Sequence, residues 1–499
     1  MATSKTDKIK LLTADDFTQH PDIIELVRKL KERFGEKFEE LVISDTLDAE
    51  GNQYVHLVQE GGGVLGIALV GYSFILETVG IRFLRLAGTS AGAINTMLMA
   101  ATGDKQSKKS EKILDILCRK NLFDFVDGHP FIKLLIKKLI TTKNYFGKVK
   151  RRVTYFLLLL LTLIVLDFLS IGWEKVMPQN TEIYLLFYLI TGLMLTLLIA
   201  VLAYAISLLI DFKDSGFGIN SGNDFLDWMK SILNDCGIDS IRKLNEKTAM
   251  LPPGLHIRNG SGDPNELNGL FGDITVISSE IISQNKIEFP KMWPLFTLDP
   301  DNFHPAEFVR ASMSIPLFFK SYEITNIPAD NKLIIEAWKE ILGVEDNCIP
   351  QTARFIDGGI VSNFPISIFY NPKVVVPRLP TFGIELDDTD PKKQDQLQAS
   401  SILQYLYRIF NTVRFNYDKD FLLKNAVYKK GIGSIKVFDF NWLNFNLSDK
   451  EKIELFIRGA QSAALFLLGD ETKKGFDWQE YKMERAKVHQ EISPSYTIH

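Results

Sequence analysis

Three short stretches of this 499-residue chain hold residue types at spacings that suit attack on a carbonyl. Gly88-Thr89-Ser90-Ala91-Gly92 follows the apolar run Ile81 to Ala87 and opens into the helix-like stretch Ala93 to Met99, so a serine stands at the apex of a strand, a tight turn and a helix. In that context a G-x-S-x-G match reads as a nucleophile elbow, because a turn that lifts a hydroxyl into the open leaves no room for Cβ atoms on either side. Upstream, Tyr54 to Glu60 reads as a buried strand running into Gly61-Gly62-Gly63-Val64-Leu65-Gly66. A glycine loop between strand and helix offers backbone N–H groups to an anion, either a dinucleotide pyrophosphate or the oxyanion of a tetrahedral acyl intermediate. The pyrophosphate reading requires a second strand ending in an acidic ribose ligand. Here that strand ends in Gly88-Thr89-Ser90, and the nearest acid, Glu77, falls inside the intervening helix.

A serine nucleophile needs a base. An α/β-hydrolase places Ser, Asp or Glu, then His along the chain. The histidines after the elbow are His129, His256, His304, His489 and His499, and none has a strand-end setting. A carboxylate does, since Ala353 to Ile356 reads as a strand entering Asp357-Gly358-Gly359. An Asp-Gly turn is also common without chemistry.

The glycine loop, the elbow and the Asp357-Gly358-Gly359 turn, in that order, resemble the patatin-like phospholipase family, of a bacterial type with an inserted hairpin. Ala311-Ser312-Met313-Ser314-Ile315-Pro316 and Asn363-Phe364-Pro365 match as well. The resemblance covers roughly residues 51 to 120 and 217 to 470, and it departs at Leu65, where the family often carries a basic residue. It implies a Ser-Asp dyad without histidine, in which Ser90 attacks an ester, Asp357 takes the proton, and N–H groups of Gly61, Gly62 and Gly63 hold the oxyanion. Gly66, Gly88, Gly92, Gly358 and Gly359 complete its motifs. A carboxylate is a weak base for an alcohol unless partly desolvated, so this site must be dry. No cofactor is implied, and no His, Cys, Asp and Glu cluster near the motifs has metal-ligand spacing.

Val153 to Gly172 carries one charge, Asp167, and Ile183 to Ile210 carries none. At about 1.5 Å per residue these runs reach about 30 and 42 Å, enough to cross a hydrocarbon core. Lys143, Lys148, Lys150, Arg151 and Arg152 precede the first run, whereas Trp173 to Glu182 between the two holds only Lys175 against Glu174 and Glu182. The basic flank belongs in the cytoplasm, and a hairpin returns both halves of the catalytic domain to that side. Phe131 to Ile140, with Lys133 and Lys137 four apart, reads as an interfacial helix or a core helix with a lysine edge.

Elsewhere strands alternate with helices. Pro21 to Leu41 reads as an amphipathic helix, Asn223 to Leu233 as a helix capped from its Asn-Asp side, Phe271 to Ser278 and Lys373 to Leu386 as containing strands, and Ser448 to Glu451 as a capping box opening a helix to Leu467. The expected fold is α/β, a mostly parallel sheet flanked by helices and interrupted by a two-helix transmembrane hairpin. Its parts are a polar helical extension over 1–50, the first catalytic part over 51–130, a basic segment and hairpin over 131–212, the second catalytic part over 213–475, and a polar tail over 476–499. The net charge of −4 points to no nucleic acid, and three scattered cysteines suit a reducing compartment. The first 50 residues lack the apolar stretch of a cleavable signal. The resulting expectation is a membrane-anchored serine hydrolase acting on fatty acyl esters of phospholipids, with membrane lipid as substrate. The alternatives are acyl transfer or neutral-lipid and lysolipid ester cleavage on the same dyad, or a membrane-tethered signalling or binding protein without chemistry.

Overall fold

Strands β2 (Gln53–Gln59) and β3 (Ile81–Thr89) bury side chains on both faces, the pattern of strands inside a parallel sheet rather than at its edge. In this computed structural model the described residues are 12–127, 145–174, 181–214, 217–344, 348–389 and 402–492. Ahead of these strands come α1 (Ala14–Thr18), α2 (Pro21–Phe34) and β1 (Thr46–Leu47). After β2 the chain passes through α3 (Gly66–Thr78), β3, α4 (Ala91–Ala101) and α5 (Ser110–Cys118).

Two compact units divide the chain. One comprises 1–126, 222–316 and 321–499, and the other comprises 127–221 with 317–320. The second unit holds α6 (Tyr145–Glu174), α7 (Thr181–Asp214), and a parallel ribbon of β4 (Gly218–Asn220) and β8 (Leu317–Phe319). Its helices extend past the expected runs, and two of their stretches, Arg151–Leu169 and Tyr188–Ser207, are long and apolar enough to cross a membrane. Within the unit Leu157, Leu161, Leu193 and Val201 stand exposed. The proposed interfacial helix at 131–140 and the connection at 175–180 lie outside the described residues.

The first unit resumes with α8 (Asn223–Asp235), α9 (Ile241–Ala249), β5 (His256–Ile257), β6 (Asp273–Glu280), β7 (Asn285–Phe289) and α10 (Ala306–Ser312). It ends through β9 (Tyr322–Thr325), α11 (Lys332–Leu342), β10 (Thr352–Asp357), β11 (Thr381–Asp387), α12 (Ile402–Lys424), β12 (Ile432–Lys436), α13 (Asp449–Leu468) and α14 (Trp478–Ile492). The main sheet runs in the order β12-β11-β2-β3-β6-β10-β9. Its first five strands are parallel, as the strand and helix alternation predicts. The sheet as a whole is mixed, because β7 and β10 pair antiparallel with β6. The connection Ile281 to Gln284 is too short for the crossover that a parallel pair requires.

Both faces are covered. Gln59 reaches α4, where its amide donates to Thr96 and accepts from Asn95, while Val58 and Ala87 meet Phe364, Ile366, Trp478 and Tyr481 on the other side. Where α3 crosses α13, two glycines replace side chains. A Cβ on Gly71 would run into the Phe456 carbonyl, and one on Gly459 into the Ala68 carbonyl. The helix backbones therefore touch, which fixes the entry angle of α3 behind the glycine loop.

Four local expectations are corrected. The Pro21 helix stops at Phe34 because Gly35 takes φ +88°, so it does not reach Leu41. Lys373 to Val376 is an exposed turn and the strand begins only at Thr381, since Pro372, Pro377 and Pro380 remove ladder donors. The N-cap of α8 is Gly222, not an Asn or Asp side chain. The tail from 476 carries α14, whose Trp478 and Tyr481 recur at helical spacing and are buried in the core. The capping box of α13 forms as read, with Ser448 N–H donating to Glu451 at 2.7 Å and Ser448 Oγ accepting from Glu451 N–H at 3.3 Å.

In an open helix, Gly to Ala stabilises by about 1 kcal/mol. At the α3–α13 crossing the sign reverses: Gly71→Ala and Gly459→Ala each destabilise by about 1–3 kcal/mol through overpacking. Urea denaturation of the detergent-solubilised protein reads this directly, and a raised midpoint would contradict the close helix contact.

Candidate active site

The apex of the Gly88–Gly92 turn is a backbone outlier. Ser90 has φ +52° and ψ −117°, a conformation that costs a non-glycine residue about 1–3 kcal/mol and persists only where its surroundings over-determine it. Here they do. The Ser90 N–H donates to Ser312 Oγ at 2.9 Å, its carbonyl accepts the Ile94 N–H of α4 at 3.1 Å, and the preceding Thr89 Oγ1 donates to the Ser362 carbonyl at 3.0 Å. Gly88 and Gly92 lie so close across the turn that a Cβ on Gly88 would strike the Gly92 carbonyl, and a Cβ on Gly92 the Gln59 carbonyl at the end of β2.

Asp357 arrives from β10, one strand beyond β6. Thr89 pairs with Ile277 and Asp357 with Ser278, so residues 267 positions apart meet across a single strand. The Ser90 hydroxyl donates to Asp357 Oδ2 at 2.6 Å. The other carboxylate oxygen accepts the Gly359 N–H at 2.7 Å, and the backbone is pinned by Asp357 N–H donating to the Ser314 carbonyl at 2.9 Å. The serine-rich segment Ser312 to Ser314 therefore braces both partners, one through a hydroxyl and the other through a carbonyl. Both side chains are buried, Ser90 at 5% exposure and Asp357 at 7%. Burial pushes the Asp357 carboxyl up from its ordinary value of 3.8, while the Ser90 and Gly359 hydrogen bonds and the Arg414 charge pull it down.

The glycine loop closes one wall of a small cleft with Ser90, Asp357, Arg414 and Trp442. Gly61 is already committed, its N–H donating to the Asn363 carbonyl at 3.0 Å. The N–H groups of Gly62 and Gly63 make no hydrogen bond among the described residues, and both residues line the cleft. Gly63 must be glycine: it has φ +57°, and a Cβ would enter the Trp442 carbonyl. Gly66 meets only ordinary contact with Ala91, whereas Gly358 backs against the Ile277 carbonyl and Gly359 against Asn363 Oδ1. Leu65 is buried.

Sequence reading missed the residues that hold these pieces together. Arg414 and Asp418, one turn apart on α12, grip the segment after Asp357. Arg414 Nη2 donates to Asn363 Oδ1 at 2.6 Å, and Asp418 accepts from Ser362 Oγ at 2.7 Å and Phe364 N–H at 2.9 Å. Their four-residue spacing is the only trace in the sequence. Glu60, at the strand end before the glycine loop, accepts from Asn363 Nδ2 at 2.7 Å and Leu386 N–H at 2.6 Å, and burial pushes its carboxyl up to about 8. The histidines lie elsewhere. His256 is bonded to the Gly254 carbonyl and His304 to Asn234, His129 falls outside the described residues, and no described histidine bonds Ser90 or Asp357. Glu77, in α3, accepts the Lys109 and Ser110 N–H groups and faces no ligand loop.

A buried serine bonded to a carboxylate, beside two uncommitted N–H donors, is equipped for acyl transfer through a covalent intermediate. The family model for patatin-like phospholipases matches residues 57–370. The chain belongs to the patatin-like phospholipase family. It is 23% identical over 414 residues to the uncharacterized protein YqhO of Bacillus subtilis, covering 83% of this chain and 98% of that one. Among solved structures it is similar to VipD from Legionella pneumophila at 13% identity and a TM-score of 0.33, covering 84% of this chain and 69% of that one. Family membership supports lipid acyl hydrolysis in general.

The Arg414 charge acts on the Asp357 carboxyl. If Asp357 is the base that takes the Ser90 proton, only its carboxylate form can do so, and Ser90 reactivity falls as pH drops through the Asp357 pKa. Arg414 lowers that pKa, and Arg414→Met therefore moves the acid limb of Ser90 phosphonylation to higher pH. An unmoved limb would show that the charge is not felt.

Proposed function

We propose that this protein is a membrane-anchored serine hydrolase that cleaves fatty acyl esters of phospholipids through the pair Ser90 and Asp357. The observation that carries the reading is the 2.6 Å hydrogen bond from a Ser90 hydroxyl, held at positive φ, to a buried carboxylate. As Ser90 Oγ bonds to the ester carbonyl carbon, its proton passes to Asp357 Oδ2. The carbonyl oxygen gains the negative charge and is met by the Gly62 and Gly63 N–H groups. Collapse expels the alcohol, which takes the proton from Asp357 and leaves an acyl-serine. Water then repeats the sequence, giving up its proton to Asp357, and Ser90 leaves with that proton as the fatty acid departs.

An apolar cavity continues from Ser90 between Ile94, Leu117, Phe225, Trp228 and Phe445, which suits an acyl chain. Its free space is about 50 Å³, against roughly 300–1,000 Å³ for ordinary ligand pockets, so a long chain must widen it. The two apolar helices supply the anchor. Their exposed leucines would be a large apolar patch in water and are at rest in hydrocarbon. Lys148, Lys150, Arg151 and Arg152 stand in sequence at the start of the first apolar run, and the positive-inside rule assigns such a flank to the cytoplasm, the side to which a hairpin returns the chain.

Ser90→Ala abolishes fluorophosphonate labelling and lowers fatty-acid release by about four orders of magnitude or more, and Asp357→Asn does nearly the same. Turnover near normal in either variant would remove the dyad. A double variant costs little beyond either single one, since the two residues act as a unit.

Anchoring is tested separately. Deleting 153–210 should release the protein from membranes while leaving hydrolysis of a short soluble ester and reducing action on bilayers. A cysteine at Gln179 should react with an impermeant thiol reagent from outside intact cells. Shielding at Gln179 together with release of the native protein by carbonate would sink the anchor without touching the chemistry.

A further inference from the structure

Two cavities larger than the cleft at Ser90 lie elsewhere among the described residues. One, of about 500 Å³, lies along β12 and α13. Its Lys430 is already neutralised by Glu480 and Glu484 at 2.6 Å each. The other, of about 450 Å³, opens at the far end of α4 from Ser90, enclosed by the Gly103–Lys109 loop, the end of α9 with the segment after it, and the start of β6.

Three ammonium groups line this second cavity: Lys105, Lys109 and Lys247. Lys109 is 7% exposed, and its Nζ donates to the Met99 carbonyl at 2.6 Å; Lys247 Nζ donates to the Ala101 carbonyl at 2.5 Å. These bonds cap the carbonyl end of α4 and use one N–H of three on each ammonium. None of the three lysines forms an ion pair within 4 Å among the described residues; Asp273 acts on Lys105, and Glu77 and Asp104 on Lys109, only at longer range, and each of these carboxylates has closer partners. Asp273 pairs with Arg85 at 3.2 Å, Asp104 accepts from Ser107 and Gln106, and Glu77 accepts from Lys109 and Ser110 N–H groups. The lysines repel one another, and burial with that repulsion pulls Lys109 down to about 7, while burial pulls Lys105 down to about 8. Without a partner the cost of such burial is met by loss of a proton, whereas an anion in the cavity favours the charged forms. Phe83, Leu86 and Met250 give the same cavity an apolar wall.

We propose that this cavity binds a phosphate monoester, with Lys105, Lys109 and Lys247 holding the phosphoryl group and the apolar wall taking the organic part. A phosphoryl group brings close to two negative charges and three acceptor oxygens to a cavity lined by three lysines, a match that a carboxylate with one charge does not offer. The site is independent of Ser90 chemistry.

The test is calorimetric titration of the full-length protein in detergent, in phosphate-free buffer, with inorganic phosphate, glycerol 3-phosphate and, as control, glycerol. Phosphate and glycerol 3-phosphate should saturate at one site and glycerol should not bind. Lys109→Met and Lys105→Gln should each weaken binding by about tenfold or more, since each removes a charge-assisted contact. Lys105 has no capping bond to α4, so its variant keeps the test valid if Lys109→Met unfolds. A second arm uses phosphatidylcholine vesicles with and without phosphatidic acid. Lysine-dependent binding of phosphatidic acid vesicles with none of the soluble monoester would identify the source as a lipid headgroup and support the site. No saturable phosphoryl binding in either arm, or affinity unchanged in both lysine variants, overturns the proposal.

Discussion

Everything at the Ser90 site depends on keeping one residue in a conformation it would not adopt by itself. The positive φ of Ser90 is held because β3 drives straight into α4 with no linker, and because the turn is enclosed by the Gly92 carbonyl against Gly88, the Gln59 carbonyl against Gly92, and the Ser312 hydroxyl on the Ser90 N–H. Strain of this size survives in a protein only when rigid elements on several sides share it. The sheet supplies that rigidity through β2 and β6. α3, held in place by glycine contacts with α13, fixes the glycine loop opposite.

Burial then sets the electrostatics. A carboxylate that must accept a proton from an alcohol benefits from losing water, yet one buried without partners would simply stay protonated. Asp357 is placed between these limits by two hydrogen bonds and by Arg414, which is itself tied to Asn363. Glu60 is buried as well, and that burial, with Glu385 beside it, drives its carboxyl upward to about 8 against the pull of the Leu386 and Asn363 hydrogen bonds and the Arg414 charge. Asn363 joins the two, accepting from Arg414 and donating to Glu60, so the segment after Asp357 bridges a cationic and an acidic environment.

Helix α4 connects the two polar centres of the catalytic unit. Its N-terminus begins at Ser90, and its last carbonyls, about 16 Å away, are capped by Lys109 and Lys247. By the direction of the helix dipole, the end at Ser90 favours negative charge and the carbonyl end favours the positive charge of the lysines that cap it. The helix is almost wholly buried against β3 and β6, which makes it a stiff element between the two centres.

The sequence alone determined what is local. A strand running into a glycine loop, a serine between two glycines ahead of a helix, an Asp-Gly-Gly after a strand, a capping box, and two long apolar runs are all set by neighbours within about a dozen positions, and each occupies the element its pattern predicts. What lies between distant residues was decided only by the tertiary structure. Ser90 and Asp357 meet because β6 lies between β3 and β10, an order that no spacing encodes. The commitment of the Gly61 N–H to Asn363 and the grip of Arg414 and Asp418 arise from packing between segments hundreds of residues apart. The same holds for the lysines at the far end of α4, which no local pattern singles out and which only the fold brings to one cavity. The physical reason is one of range: dihedral preferences and hydrophobic period act along the chain, whereas desolvation, hydrogen-bond commitment and charge proximity exist only once the chain has closed on itself.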